Sequence, residues 1–204
     1  MSEKAMTIVY EVGDNLYVNI TNKCPCSCTF CIRQNGDSAY GSDSLWLEHE
    51  PSVEEITNAL KKADFKKYNE IIFCGYGEPT ERIEALIQTA DFIKENDGPP
   101  IRLNTNGLSD LINKRPTAHL FEGRIDTVSI SLNAGTKGEY IKVTRPSFGE
   151  EAFYAMQKFA SECKKYVKNV MLTVVDVIGD EEINASHKLS EKLGIKLRIR
   201  RYEK

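Results

Sequence analysis

Asp126–Ala134 reads DTVSISLNA. In extended backbone, successive side chains point to opposite faces. Val128, Ile130 and Leu132 therefore share one face, and Thr127, Ser129, Ser131 and Asn133 share the other. The same split recurs in LYVNIT, where Leu16, Val18 and Ile20 oppose Tyr17, Asn19 and Thr21. It recurs again in KLRIR, where Leu197 and Ile199 oppose Lys196, Arg198 and Arg200. A parallel sheet covered on both faces reads as near-continuous apolar strands, and a closed eight-strand barrel fills its interior with branched apolar residues. Here one face is apolar while the other is polar and partly cationic. The pattern suits an open, curved sheet around a wet lumen; a sheet with one face bare to solvent is the alternative.

On either side of this stretch, strand-like and helix-like runs alternate. TIVYEV, Gly13-Asp14-Asn15 and LYVNIT read as a hairpin into a first core strand. Cys24–Ser52 is loop-like; Ser52 and Glu55 then form a capping box that opens the helix SVEEITNALKKAD. EIIFCG, PIRLNTNG, DTVSISLNA, NVMLTVVDVIG and IKLRIRRY read as further strands. Between them lie RIEALIQTADFIKEN, short pieces on either side of Pro116, EEAFYAMQKFASECKKYV and EEINASHKLSEKLG as helices. Alternation of this kind argues for parallel strands with right-handed crossovers. The expected fold is α/β, a partial (β/α)6 barrel (an incomplete TIM-like barrel) with an N-terminal β-hairpin extension. The whole of 1–204 is expected to form one domain, with 1–15 as the hairpin strand and 36–52 as a lid loop. That loop carries the single tryptophan, Trp46, whose other reading is packing over a helix end.

The chain has 204 residues, 41% hydrophobic and 28% charged, with 27 basic and 30 acidic side chains. That composition is globular, and a net charge of −3 exerts no whole-protein pull on nucleic acid or anionic membrane. No stretch approaches the length of a membrane span, and MSEKAMTIVYEVGDN has no apolar core of a secretory signal. The expected compartment is the cytoplasm, where thiols stay reduced and clustered cysteines bind metals or do chemistry.

Four of the six cysteines, Cys24, Cys26, Cys28 and Cys31, fall in TNKCPCSCTFCIRQNG. Thiolates select zinc, copper(I) or iron–sulfur clusters. Zinc sites usually pair two close cysteines with a second pair or histidines further on, whereas here Cys74 and Cys163 are isolated and the three histidines scattered. Both isolated thiols read as core residues.

Without Cys26, the spacing is Cys24-x3-Cys28-x2-Cys31 with Phe30 before the last cysteine, which resembles the signature of the radical S-adenosylmethionine (SAM) family. Gly75-Tyr76-Gly77-Glu78-Pro79 resembles that family's glycine-rich motif, with Tyr76 interrupting the glycine pair. SISLNA and VVDVIG lie where the family meets the ribose and adenine of SAM. The resemblance spans nearly the whole chain. It implies a [4Fe–4S] cluster on Cys24, Cys28 and Cys31, with one iron open to SAM. It implies SAM contacts from Phe30, Gly75, Tyr76, Gly77, Glu78, Ser129, Ser131, Asn133, Val177, Ile178 and Gly179. The implied activity is that of a radical SAM oxidoreductase or transformation enzyme: reductive cleavage of SAM to methionine and a 5′-deoxyadenosyl radical that takes hydrogen from a substrate. The implied partner is a flavodoxin- or ferredoxin-like one-electron donor. The stretch from Tyr17 to Gly36 is similar to the subgroup linked to TatD-type nucleases.

For the substrate, Arg33, Asn104, Arg145, Arg198 and Arg200 are candidates, with Asn19 and Asn106 as further lumen residues, because guanidinium forks suit carboxylates and phosphates. An anionic substrate is expected; surface ion pairing is the other use of such arginines. A glycyl-radical-activase-like protein and a non-catalytic zinc-binding module are the competing functions.

Overall fold

The computed structural model describes residues 4–202. Its centre is one seven-stranded sheet in sequence order: β1 (Val9–Val12), β2 (Asn15–Val18), β3 (Glu70–Phe73), β4 (Ile101–Thr105), β5 (Thr127–Ser131), β6 (Asn169–Val175) and β7 (Lys196–Arg200). β1 is antiparallel to β2 across the two-residue turn Gly13-Asp14, where Gly13 takes a φ of +57°. The five pairings from β2 to β7 are all parallel. The sheet does not close, since β1 and β7 each pair on one side only. Six parallel strands with helical crossovers match the expected partial barrel. The N-terminal hairpin is present from Val9 on; residues 1–3 lie outside the described residues.

The helices are α1 (Val53–Lys62), α2 (Ile83–Glu95), α3 (Ser109–Asn113), α4 (Lys137–Thr144), α5 (Glu151–Cys163) and α6 (Asp180–Leu193). α1 begins at the expected capping box: the Glu55 N–H donates to Ser52 Oγ at 3.2 Å and the Ser52 N–H to Glu55 Oε2 at 2.7 Å. α6 ends where Gly194 turns left-handed at φ 60°. Together the helices cover the outer face of the sheet, where Leu16, Phe73, Leu103, Val128, Ile130 and Leu172 are at most 1% exposed. Each such side chain contributes about 1.5–3 kcal/mol of burial free energy. Cys163, expected mid-helix, is the last residue of α5 and fully buried.

α4 is a helix beyond those expected from the sequence. Thr136 caps it by accepting the Glu139 N–H, and Arg145 closes it in a left-handed conformation before Pro146. Its end has a purpose in the fold: Ser27 N–H donates to Thr144 O, Thr29 N–H to Val143 O, and Ser147 N–H to Pro25 O. Residues 25–29 therefore run as a backbone ribbon along 143–147, with Cys26 bridged to Pro146. This ribbon anchors the cysteine loop to the end of α4.

Candidate functional site

A cavity of about 550 Å³ opens at the carboxyl ends of the strands, on the polar face of the sheet. Alternation produces it: outward residues pack on helices, so Cys74, Asn104, Ser129, Thr173 and Arg198 must face inward. The four clustered cysteines reach the same cavity from the loop after β2, with Phe30 beside them. Gly75, Tyr76, Gly77 and Glu78 line it after β3. Ser131 and Asn133 line it at the end of β5. The residues that the sequence assigns to the cluster, the methionine end and the ribose therefore line one cavity.

The β3 turn is rigidly held. The Glu78 carboxylate is 4% exposed and accepts four hydrogen bonds. Thr80 N–H, Thr80 Oγ1 and Thr105 Oγ1 donate to Oε1 at 3.2, 2.8 and 2.7 Å, and the Asn106 N–H donates to Oε2 at 2.7 Å. Burial pushes its carboxyl above the usual carboxylate range, while the donors pull the other way. The Glu78 N–H donates to Lys23 O, so the turn also grips the cysteine loop. A methyl group on Gly77 would sit 2.3 Å from Thr21 O and 2.7 Å from Lys23 O, so a side chain has no room there.

Tyr76, the departure from a paired-glycine motif, has its own task. Its hydroxyl donates to Gly36 O at 2.7 Å and its ring meets Trp46 edge-on at 5.1 Å. Loop 36–52 is thereby packed on the motif, with Leu45 fully buried and its carbonyl accepting from Asn19 Nδ2. Tyr10, Tyr17 and Tyr40 extend this aromatic wall along the cavity. Tyr40 belongs to the loop expected to act as a lid; Tyr10 and Tyr17 were not among the expected site residues, and the inward position of Tyr17 on β2 was the available signal.

β5 presents a different surface. Ser129 is 9% and Asn133 5% exposed, and Asn133 Oδ1 is buried with no hydrogen-bond partner. Buried polar atoms are normally paired, so an orphan acceptor on a cavity wall fits a ligand donor such as a ribose hydroxyl. Asn133 also holds a left-handed φ of 63°, which asparagine tolerates.

Among the cysteines, Cys26 is buried, whereas Cys24, Cys28 and Cys31 are half-exposed. Hydrogen bonding with Cys26 holds the Cys24 and Cys28 thiols below the ordinary range and pushes Cys26 above it. Asn106 Nδ2 lies 4.0 Å from Cys24 Sγ and 3.9 Å from Cys26 Sγ. Among the described residues, no group of three or more His, Cys, Asp and Glu side chains converges on a single metal ion. A polynuclear cluster takes its thiolates on separate irons. A soft donor set beside an orphan acceptor therefore fits a cluster together with SAM.

Several candidates fall elsewhere. The Arg33 guanidinium lies 5.5 Å over Trp46 and donates to Asn22 O, so it braces the loop and is absent from the cavity lining. Arg145 is exposed at the α4 C-cap and is absent from the cavity lining. Val177 is exposed, Ile178 packs on the core, and Gly179 begins α6; Val175 lines the cavity in their place. Asn19 supports loop 36–52, while Asn104, Asn106, Arg198 and Arg200 do line the cavity. Cys74, read as core, is half-buried on the same wall, and burial raises its thiol.

This arrangement of clustered cysteines, a glycine-rich turn and a polar strand row in an open parallel barrel defines a class. A family model described as the Radical SAM superfamily matches residues 18–189, and the chain belongs to that superfamily. It is therefore an enzyme of a family whose cofactors are a [4Fe–4S] cluster and SAM. GTP 3′,8-cyclase of Clostridium botulinum is 27% identical over 188 residues, which cover 90% of this chain and 54% of the relative. Dual-specificity RNA methyltransferase RlmN of Sulfurimonas denitrificans is 26% identical over 207 residues, 94% of this chain and 54% of that one. The chain spans about half the length of these curated relatives. A radical SAM methyltransferase from Sphaerobacter thermophilus shares the fold at a TM-score of 0.61 and 16% identity, over 95% of this chain and 68% of that one. Streptococcus suis SuiB bound to S-adenosylmethionine shares it at 0.65 and 14%, over 92% and 38%. No helix among the described residues is long and apolar enough to cross a membrane.

Proposed function

We propose that this chain holds a [4Fe–4S] cluster on Cys24, Cys28 and Cys31 and SAM along Gly75–Glu78 and the β5 row, and that it abstracts hydrogen from an anionic substrate. The observation that carries this reading is the meeting of the cysteine loop with the orphan Asn133 acceptor in one cavity. Cluster and SAM supply, when bound, a 5′-deoxyadenosyl radical; everything else falls to the chain. The Gly75–Gly77 backbone and the fixed Glu78 receive the methionine end. Ser129, Ser131 and Asn133 receive the ribose hydroxyls, with Phe30 beside the adenine and Val175, at the end of β6, as a further contact. Loop 36–52, pinned by Tyr76 and Trp46, acts as the lid that keeps water and oxygen from the cavity.

On the substrate side, the arginine set narrows to Arg198 and Arg200, with Asn104. A flavodoxin- or ferredoxin-like donor supplies the electron, and a cytoplasmic setting suits reduced thiols. The likeness of Tyr17–Gly36 to the TatD-linked subgroup supports an association with such a nuclease and names no substrate. Anaerobic reconstitution with iron and sulfide, followed by counting both, tests the cofactor assignment. About four irons and four sulfides per chain are expected. One zinc without sulfide sinks the reading.

A further inference from the structure

The strand β7 carries a charge imbalance that the cofactors leave unused. Arg82, Arg102, Arg115 and Arg124 each meet a carboxylate, and Arg33 lies over Trp46. Arg198, Arg200 and Arg201 meet no carboxylate among the described residues, yet all three line the cavity. Edge strands often carry cations simply to block pairing with other chains. Register separates that use from a second one, because Arg198 and Arg200 share a pleat with the inward Thr173 and line the cavity, while Leu197 lies on the other pleat and Ile199, 43% exposed, borders the cavity at the open edge. Arg102, on the inward pleat of β4, completes the wall: Glu70 holds its terminal nitrogen, and its Nε is buried without a partner.

Register gives the distance to the SAM cradle. Ser131 pairs with Thr173, and Thr173 pairs with Arg198. Neighbouring strands lie about 4.8 Å apart, so Arg198 is two strands, or roughly 10 Å, from the row proposed to hold ribose. A small molecule fits that gap: its anionic end reaches the arginines while a carbon near its middle lies beside the ribose. One guanidinium fork satisfies one carboxylate. Several unpaired forks call for more charge and more acceptors, and a phosphate monoester offers about −1.5 to −2 and three oxygens. A cavity of about 550 Å³ also lies in the range of small-ligand sites, about 300–1,000 Å³.

We infer that Arg198 and Arg200, backed by Arg102, form a phosphate-binding wall, and that the substrate is a small phosphate monoester. This rests on the proposed SAM placement for its geometry. The test is isothermal titration of the anaerobic, SAM-saturated holoprotein, held oxidised, with ribose 5-phosphate, inorganic phosphate and citrate as probes. Ribose 5-phosphate is expected to bind more tightly than citrate, and more weakly as salt rises. The double variant Arg198→Gln/Arg200→Gln should lose about tenfold or more, since each charged hydrogen bond carries about tenfold to over a hundredfold in affinity. Arg200→Lys, which keeps the charge, should lose less than Arg200→Gln. Citrate binding as tightly as the phosphates, unchanged affinity in the double variant, or no binding at millimolar probe would overturn the inference. The same titration on the cluster-free chain reads phosphate binding on its own. Iron content and SAM affinity, measured on the same samples, report the cofactor assignment separately.

Discussion

Two walls of the cavity treat their polar groups in opposite ways. At the β3 turn, Glu78 is buried and met by four donors, and Gly77 is pressed against the backbone of the cysteine loop. Across the cavity, Asn133 is equally buried and its oxygen has no partner. The first wall is finished before a ligand arrives, whereas the second is finished by one. Pre-satisfied groups set position and stability, and unsatisfied ones set affinity. Substitutions at the turn should therefore damage the fold, and substitutions on β5 should damage binding while sparing the fold.

The largest expected effect is at Gly77. Gly77→Ala drives a methyl group into two carbonyls, so we expect a loss of about 2 kcal/mol or more in chemical denaturation, together with poor iron uptake on reconstitution. Glu78→Ala comes next, stranding buried donors at a cost of about 2–3 kcal/mol. Its pH signature is more specific. Burial raises the Glu78 carboxyl above its ordinary value of 4.5, so the folded chain binds that proton more tightly than the unfolded one. The contribution is then greatest near and below the ordinary value and falls as pH rises through the raised one. Comparing wild type with Glu78→Gln by denaturation across pH 4–8, the wild-type advantage should shrink toward neutrality. A constant difference would mean that Glu78 does not titrate in this window.

A smaller effect, and of the other kind, is expected on β5. Asn133→Gly removes the orphan oxygen and relaxes a left-handed φ, so stability should stay within about 0.5 kcal/mol of wild type. SAM affinity should fall about fivefold, the equivalent of one hydrogen bond. If Asn133→Gly lowers stability as the turn variants do while SAM affinity stays at the wild-type value, the contrast between the two walls is wrong. The smallest effect is expected at Cys26. Its thiol lies between Cys24 and Cys28, but its anchoring to Pro146 is through the backbone, so Cys26→Ser should retain the iron and sulfide of wild type. Loss of the cluster in that variant would show that the ligand set includes Cys26.

The barrel was legible because its signal is periodic. Alternation in DTVSISLNA and KLRIR sets which face is wet, while the ribose role of Ser129, Ser131 and Asn133 came from the family resemblance. The capping box at Ser52 and the glycine stop at Gly194 were legible for the same reason, as local chemistry. α4 was not: it is eight residues long, with Gly138, Val143 and Thr144 weakening its helical signal. The ribbon between 25–29 and 143–147 leaves no trace because backbone groups are the same at every residue. Arg33 misled because a guanidinium suits an indole face as well as an anion. Arg102 was missed because its pairing with Glu70 and its free Nε exist only in three dimensions.

The central claim is that Cys24, Cys28 and Cys31, with the β5 row, make a site for reductive cleavage of SAM. Its most direct test is the amount of 5′-deoxyadenosine formed when the anaerobically reconstituted chain is given SAM and dithionite. Wild type and Cys26→Ser should both form it, and Cys24→Ala, Cys28→Ala and Cys31→Ala should form none. No 5′-deoxyadenosine from a wild-type sample with a full iron and sulfide count, or equal amounts from the three alanine variants, would contradict the account.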